Sequence, residues 1–277
     1  MVSRHVTRPR IDVTVATLNN AKTLGRCLQA IRDHIPVKDL VVVDGGSADG
    51  TINLARKYGA KVVTERGLLG RVRYTQARQC RTPWVAFIDS DVYVYEQWWR
   101  EVSKYVNTRE VGMVSGFADG RQDKLGEYAA FLNYKAGKFG AETFSNTMLR
   151  RRLVLDCEGE LEKVHAGEDS VVARHVIASG HKVVTIPKRL CFHDRKIETH
   201  PQAYYRSGQS IRRTNGVIGL YRMANSLRTS IRDWWAFSKD TRSFRFTLLA
   251  YLGNLWLWMV VGFLSDTRVM ASRAAAN

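Results

Sequence analysis

The sequence has little cysteine. Its 277 residues contain four, Cys27, Cys80, Cys157 and Cys191. No two stand at C-x-x-C spacing, which argues against a zinc knuckle or a thioredoxin-like redox motif. Four thiols in a chain this long do not make a disulfide scaffold, and they point to a reducing compartment. Acidic residues are also scarce: 26 Asp and Glu stand against 43 Lys and Arg, a net charge of +17. A surplus of that size suggests anionic partners, namely nucleic acid, a membrane surface or a phosphorylated substrate. Repeats at a solenoid period and low-complexity tracts are absent. So is a secretory leader pattern: Met1–Arg10 is basic and the first apolar run, Ile11–Ala16, is too short. The folded part is therefore expected to stay on the side of the membrane where it is made.

What is present suits a packed core. The chain is 45% hydrophobic and 25% charged, enough for one large domain, or one domain with a small appendage. Ile11–Ala16, Leu40–Val43, Lys61–Thr64 and Trp84–Asp89 are β-branched runs bounded by turn residues and read as strands. Ala21–Ile31 and Thr51–Tyr58 read as helices between them, so the strands should pair in parallel within a layered α/β sheet. Tyr95–Val106 reads as a further helix and Val111–Phe117 as a strand. Asp169–Ser179 and Lys182–Pro187 repeat that pair downstream, and the order between Gly120 and Val164 stays open.

The composition changes near residue 200, which sets three units: 1–200, 201–243 and 244–277. Pro201–Asn277 holds eleven basic and three acidic residues. It also holds Trp234, Trp235, Trp256 and Trp258. Phe246–Leu264 carries no charge and as a helix is ~28 Å long, near the ~30 Å hydrocarbon core of a bilayer. With Arg242 and Arg245 before it and Asp266 and Arg268 after it, it is expected to be a transmembrane helix. Most basic charge lies on its N-terminal side, which keeps the preceding domain cytoplasmic at the cell membrane. Val217–Phe237 mixes Ile218, Leu220, Tyr221, Leu227, Ile231, Trp234 and Trp235 with Arg222, Arg228 and Arg232. Such helices lie in the headgroup plane of an anionic membrane surface.

Three motifs carry chemistry. Asp89-Ser90-Asp91 follows the apolar strand Trp84–Ile88, and ligands of open α/β sheets bind beyond the carboxyl ends of strands. Two carboxylates one residue apart can hold a divalent cation, which in turn can clamp a diphosphate. The run Val41–Thr51 delivers Asp44 to a strand end, followed by a glycine turn in which Ser47 or Asp49 can cap the next helix. Asp44 can accept hydrogen bonds from a base edge or ribose hydroxyls. Thr17-Leu18-Asn19-Asn20 is a strand-to-helix turn.

In this order, the three resemble the motifs of family 2 glycosyltransferases, over roughly Ile11–Arg213. The family's P-T-x-N turn has Ala16 in place of proline. Its D-x-x-S-x-D-G-T turn is matched by Asp44, Ser47, Asp49, Gly50 and Thr51, and its D-x-D by Asp89 and Asp91. The resemblance implies a GT-A nucleotide-sugar-binding fold, a mixed and mainly parallel sheet flanked by helices. Here that fold should carry C-terminal interfacial helices and the transmembrane helix. It implies donor contacts from Thr17, Asn19 and Asp44, and roles for Asp89 and Asp91 at ribose, diphosphate and metal. Arg71 and Arg73 match a basic segment that approaches the nucleotide. Glu168-Asp169 resembles the pair that supplies the base in inverting members. Gln209-Ser-Ile-Arg212-Arg213 resembles the Q-x-x-R-W motif of cellulose-synthase-like members, with Arg213 replacing tryptophan, and its arginines could hold the diphosphate. His193 sits where relatives place a histidine near the metal, so Asp91, Asp89 and His193 form the expected site for Mg²⁺ or Mn²⁺.

The implied reaction is inverting transfer of a sugar from a GDP- or UDP-sugar, with GDP-mannose the expected donor. A hydroxyl acceptor is barely ionised at neutral pH, so a carboxylate, Asp169, must take its proton. That favours a hydroxyl of a lipid-linked saccharide at the membrane over the alternative, a polyprenyl- or dolichyl-phosphate sugar synthase. A non-catalytic basic membrane- or nucleic-acid-binding protein is the remote alternative. Its only support is net charge, and acidic strand ends oppose nucleic acid.

Overall fold

The computed structural model describes residues 10–119, 144–194, 201–215, 218–240 and 246–265. One eight-stranded sheet organises the described residues from Ile11 to His193. Its first half alternates β1 (Ile11–Thr17), α1 (Ala21–His34), β2 (Val37–Asp44), α2 (Thr51–Lys57), β3 (Lys61–Thr64), α3 (Leu69–Gln79) and β4 (Trp84–Asp89). Strands β3, β2, β1 and β4 lie side by side and parallel. Such strands are covered on both faces, which is why β1 and β2 carry near-continuous buried runs. Val13, Val15, Val42 and Val43 are fully buried, each contributing ~1.5–3 kcal/mol. Helix α1 is held by Leu24, Cys27, Leu28 and Ile31, apolar at helical spacing.

Beyond β4 the sheet turns mixed. There follow β5 (Val92–Val94), α4 (Gln97–Val102), β6 (Val111–Asp119), β7 (Asn146–Arg150), α5 (Arg151–Leu155), α6 (Glu158–Leu161), α7 (Glu168–Ala178) and β8 (Lys182–His193). The strand order is β3-β2-β1-β4-β7-β6-β8-β5, with β7 antiparallel to both β4 and β6. The expected mixed, mainly parallel sheet is therefore the observed one. Two elements differ from expectation. The helix expected at Tyr95–Val106 is α4 plus a 3-10 turn at Ser103–Tyr105. The strand expected at Lys182–Pro187 runs on to His193, because it stays paired with β6 as far as Phe192 and takes β5 on its other edge.

Three helices complete the chain: α8 (Pro201–Asn215), α9 (Gly219–Asp240) and α10 (Phe246–Ser265). Among the described residues, no helix is long and apolar enough to cross a membrane. The expectation of a transmembrane helix at Phe246–Leu264 is corrected accordingly. The run lacks charge for another reason: it packs on α8 at backbone distance. A Cβ added at Gly208 would lie 1.8 Å from the Met259 carbonyl oxygen, and one at Gly262 would lie 1.9 Å from that of Tyr205. Met259 and Phe263 are buried in this contact while Asn254 is exposed midway along the helix. The flanking Arg242, Arg245, Asp266 and Arg268 lie outside the described residues.

Candidate active site

The carboxyl ends of β1, β2 and β4 are zipped together by side chains. Asn19 has φ +48, a left-handed backbone that asparagine tolerates better than most residues. In that pose its amide donates to Ser47 Oγ at 2.7 Å and its Oδ1 accepts the Ala48 amide at 2.9 Å. The Asn20 amide donates to Thr51 Oγ1, and its side-chain Nδ2 donates to Ser90 Oγ at 2.7 Å. Thr23 Oγ1 donates to the Ser90 carbonyl. Asp49 accepts the Thr51 and Ala21 amides, so it opens α2 and ties that turn to α1. Asp44 is fully buried. It accepts the amides of Gly46 and Ser47 and the Ser47 hydroxyl, and the turn needs Gly46 at φ +101. The Thr17 hydroxyl is buried without a hydrogen-bond partner among the described residues.

Asp89 ends β4 and Asp91 follows it, and β8 brings His193 to them. The residue opposite His193 is Val92, and the Asp194 amide donates to the Asp91 carbonyl at 2.8 Å. His193 Nε2 lies 3.2 Å from Asp91 Oδ1. One ligand atom from each of Asp89, Asp91 and His193 falls within 4.8 Å of the others, and all three side chains are half-buried. Two carboxylates and an imidazole are a fitting donor set for a divalent cation that prefers oxygen and accepts nitrogen.

Arg73 joins this cluster to a second acidic pair. It is 4% exposed, and its Nη2 donates to Asp89 Oδ1 at 2.8 Å. Its Nε donates to Glu168 Oε1 at 3.3 Å, and the guanidinium lies 4.9 Å from the Phe144 ring centroid. Glu168 and Asp169 open α7, preceded by Gly167 at φ +78. Burial pushes the Glu168 carboxyl up to about 7, against the pull of Arg73 and with the push of Asp169. Burial also raises Asp169, against the Ser170 amide that it accepts. Glu168 is buried and occupied by Arg73, while Asp169 is the more accessible of the two.

The remaining expected residues lie apart from this centre. Arg71 pairs with Glu65, Glu158 and Glu162 on the surface. On α8, the Arg212 guanidinium lies 5.0 Å from the Phe263 ring centroid, facing α10, while Gln209 is half-buried. Arg213 and Arg206 act electrostatically on His165, whose pKa is lowered by its burial and by these two charges. Asn20 was read only as part of the Thr17–Asn20 turn, and two contributors were given no role by the sequence reading: His165 and Ser210. His165 Nδ1 accepts the Leu69 amide at 3.2 Å, and Ser210 Oγ accepts the amides of His165 and Ala166. Only Ser210 had a signal, its place inside the Gln209–Arg213 motif.

Comparison with known proteins agrees with this architecture. The family model described as Glycosyl transferase family 2 matches residues 12–167. Glycosyltransferase AglE of Haloferax volcanii is 28% identical over 120 residues, 40% of this chain and 40% of that protein. The chain thus matches less than half the length of that relative. Among solved structures, mannosyltransferase PcManGT from Pyrobaculum calidifontis in complex with GDP-Man and Mn2+ is similar, with a TM-score of 0.62 at 17% identity. The similarity covers 95% of this chain and 88% of that one. Glucosyl-3-phosphoglycerate synthase from Mycobacterium tuberculosis in complex with Mn2+, UDP and glucosyl-3-phosphoglycerate gives 0.52 at 18% identity, over 76% and 78%.

Proposed function

This chain belongs to glycosyltransferase family 2, and from that premise we propose that it transfers a sugar, mannose from GDP-mannose first, to a hydroxyl of a lipid-linked saccharide with inversion. The observation that carries the reading is the buried Arg73, which ties the Asp89–Asp91–His193 cluster to Glu168-Asp169. A donor diphosphate end and an acceptor end then sit on opposite sides of one side chain. In this reading the Thr17 hydroxyl, Asn19 and Asp44 frame the nucleotide.

In this reading the acceptor oxygen attacks the anomeric carbon, the carbon–oxygen bond to the diphosphate breaks, and the nucleoside diphosphate leaves with the bonding electrons. Asp169 takes the acceptor proton. Its raised pKa brings it closer to the working pH, where a base is most effective. Burial is the main cause of that rise, and the nearby Asp89 charge adds to it. Asp89, Asp91 and His193 would hold the cation, which supplies charge stabilisation to the leaving diphosphate. The imidazole favours Mn²⁺ over Mg²⁺, which prefers an all-oxygen shell.

The C-terminal helices support a membrane acceptor in this reading. Ile218, Tyr221, Trp235 and Leu264 are each more than half exposed, and Leu257 and Val261 add to them. Arg228 and Arg232 stand exposed on α9 beside Ile231. An apolar surface edged with arginines suits the interface of an anionic leaflet without spanning it. The four buried, unpaired thiols fit a cytoplasmic face. The test is a thermal-shift panel of GDP-, UDP- and dTDP-sugars with Mn²⁺ or Mg²⁺, followed by transfer to lipid extracts. A metal-dependent shift with GDP-mannose and labelled lipid product are expected. A shift with UDP-sugars alone would overturn the donor. Product that is a lipid phosphosugar, formed equally by Asp169→Asn, would overturn the acceptor.

A further inference from the structure

Ser210 is 3% exposed, although it is a polar residue on a basic helix. Its hydroxyl oxygen accepts two consecutive amides, His165 at 3.0 Å and Ala166 at 3.1 Å. Those amides belong to the turn that leads directly into Glu168 and Asp169. The same turn is held from the other side, where His165 Nδ1 accepts the amide of Leu69, the first residue of α3. Helix α3 carries Arg73, which grips Glu168. Two residues before Ser210, Gly208 brings α8 against the Met259 carbonyl of α10, and the Gly262–Tyr205 contact repeats the approach one turn away. Neither glycine leaves room for a side chain. α8 is therefore fixed on α10, and through one hydroxyl it is fixed on the catalytic turn.

We infer that Ser210 is a positioning residue for the acid pair, and that the C-terminal helices set the reach of Asp169 through it. The inference rests on the reading of Asp169 as base. Without the hydroxyl, two half-buried amides lose their partner, and the turn must move or admit water to satisfy them. A displacement of an ångström at a general base can cost roughly 10²-fold in rate. Donor binding has no such dependence, because Asp89, Asp91 and His193 are carried by β4 and β8.

The experiment compares wild type, Ser210→Ala and Ser210→Thr in the full-length chain, with Gly262→Leu as a second route. Hydrogen exchange at the His165 and Ala166 amides reads the clamp without reference to activity. Transfer rate and GDP affinity in Mn²⁺ read its consequence. Ser210→Ala should raise exchange at both amides and lower kcat roughly 10–100-fold, with GDP affinity changed less than about threefold. Ser210→Thr, which keeps the hydroxyl, should restore exchange and kcat together. Gly262→Leu, which pries α8 from α10, should reproduce the Ser210→Ala pattern in milder form. Unchanged exchange in Ser210→Ala refutes the clamp. Raised exchange with normal kcat refutes the positioning role. A wild type that protects the amides yet transfers no sugar refutes the glycosyl-transfer reading while leaving the clamp standing.

Discussion

Replacing Arg73 by methionine isolates the electrostatics of the site. The side chain is buried, is of similar length to methionine, and already packs its guanidinium near the Phe144 ring. The substitution leaves Glu168 and Asp89 without their shared cation. An unpaired buried carboxylate costs ~3–5 kcal/mol, unless it takes a proton instead. In the native protein, burial lifts Glu168 to about 7 even with Arg73 pulling it down, so loss of the arginine must lift it further. A carboxyl raised on folding contributes stability that is present below its unfolded pKa and is lost as pH rises through the folded value. At pH 6 both proteins hold Glu168 protonated, and this group adds little to their difference. Above pH 7 the native Glu168 ionises beside its cation, while the variant's stays protonated. Each further pH unit then costs the variant ~1.4 kcal/mol relative to wild type. Between pH 7 and 8.5 the stability deficit of Arg73→Met should widen by ~2 kcal/mol. Urea unfolding at pH 6.0, 7.0 and 8.5 measures this directly. A deficit that stays flat with pH, or that is largest at pH 6, would show that Arg73 does not neutralise Glu168.

Other outcomes follow from the same geometry. Asp169→Asn should lower kcat by ~10²–10⁴-fold and leave nucleotide affinity nearly unchanged, measured by steady-state kinetics and calorimetric titration. Because burial raises the Asp169 carboxyl, the acidic limb of the kcat profile should be displaced upward from that of an ordinary aspartate, with rate rising as pH rises. His193→Ala removes the only nitrogen from the candidate cation set; it should weaken Mn²⁺ binding more than Mg²⁺ binding, as read by metal titration of GDP affinity. Replacing Leu257 and Leu264 by lysine should leave unfolding unchanged, since both are exposed, and should release the protein from neutral vesicles in a sedimentation assay, where added positive charge gains nothing.

The part of this account that was legible in sequence is local. Strands β1 and β4 announced themselves as buried β-branched runs, and the D-x-D and D-x-x-S-x-D-G-T turns were legible through their resemblance to the family's motifs. Of Ser47 and Asp49, the two residues expected to open α2, it is Asp49 that accepts the Thr51 amide. Arg73 could be placed near the nucleotide, but its bond to Glu168 spans 95 residues of sequence, and nothing local encodes that separation. Ser210 stood inside the Gln209–Arg213 motif, but its bonds could not be foreseen for the same reason, because its partners lie on a turn 44 and 45 residues away. Phe246–Leu264 misled because an uncharged run is required equally by a bilayer and by a helix packed on another at glycine contacts. Gly208 and Gly262 hold the discriminating information, and their close approach exists only once α8 and α10 are docked.

The most direct test of the central claim is transfer of radiolabelled mannose from GDP-mannose into a membrane lipid extract by the purified protein, with Mn²⁺ and then with excess EDTA, for wild type and Asp91→Ala. The account predicts labelled lipid-linked product from wild type with Mn²⁺ alone, and none from the chelated sample or the variant. Equal labelling in EDTA, or by Asp91→Ala with Mn²⁺, would contradict it.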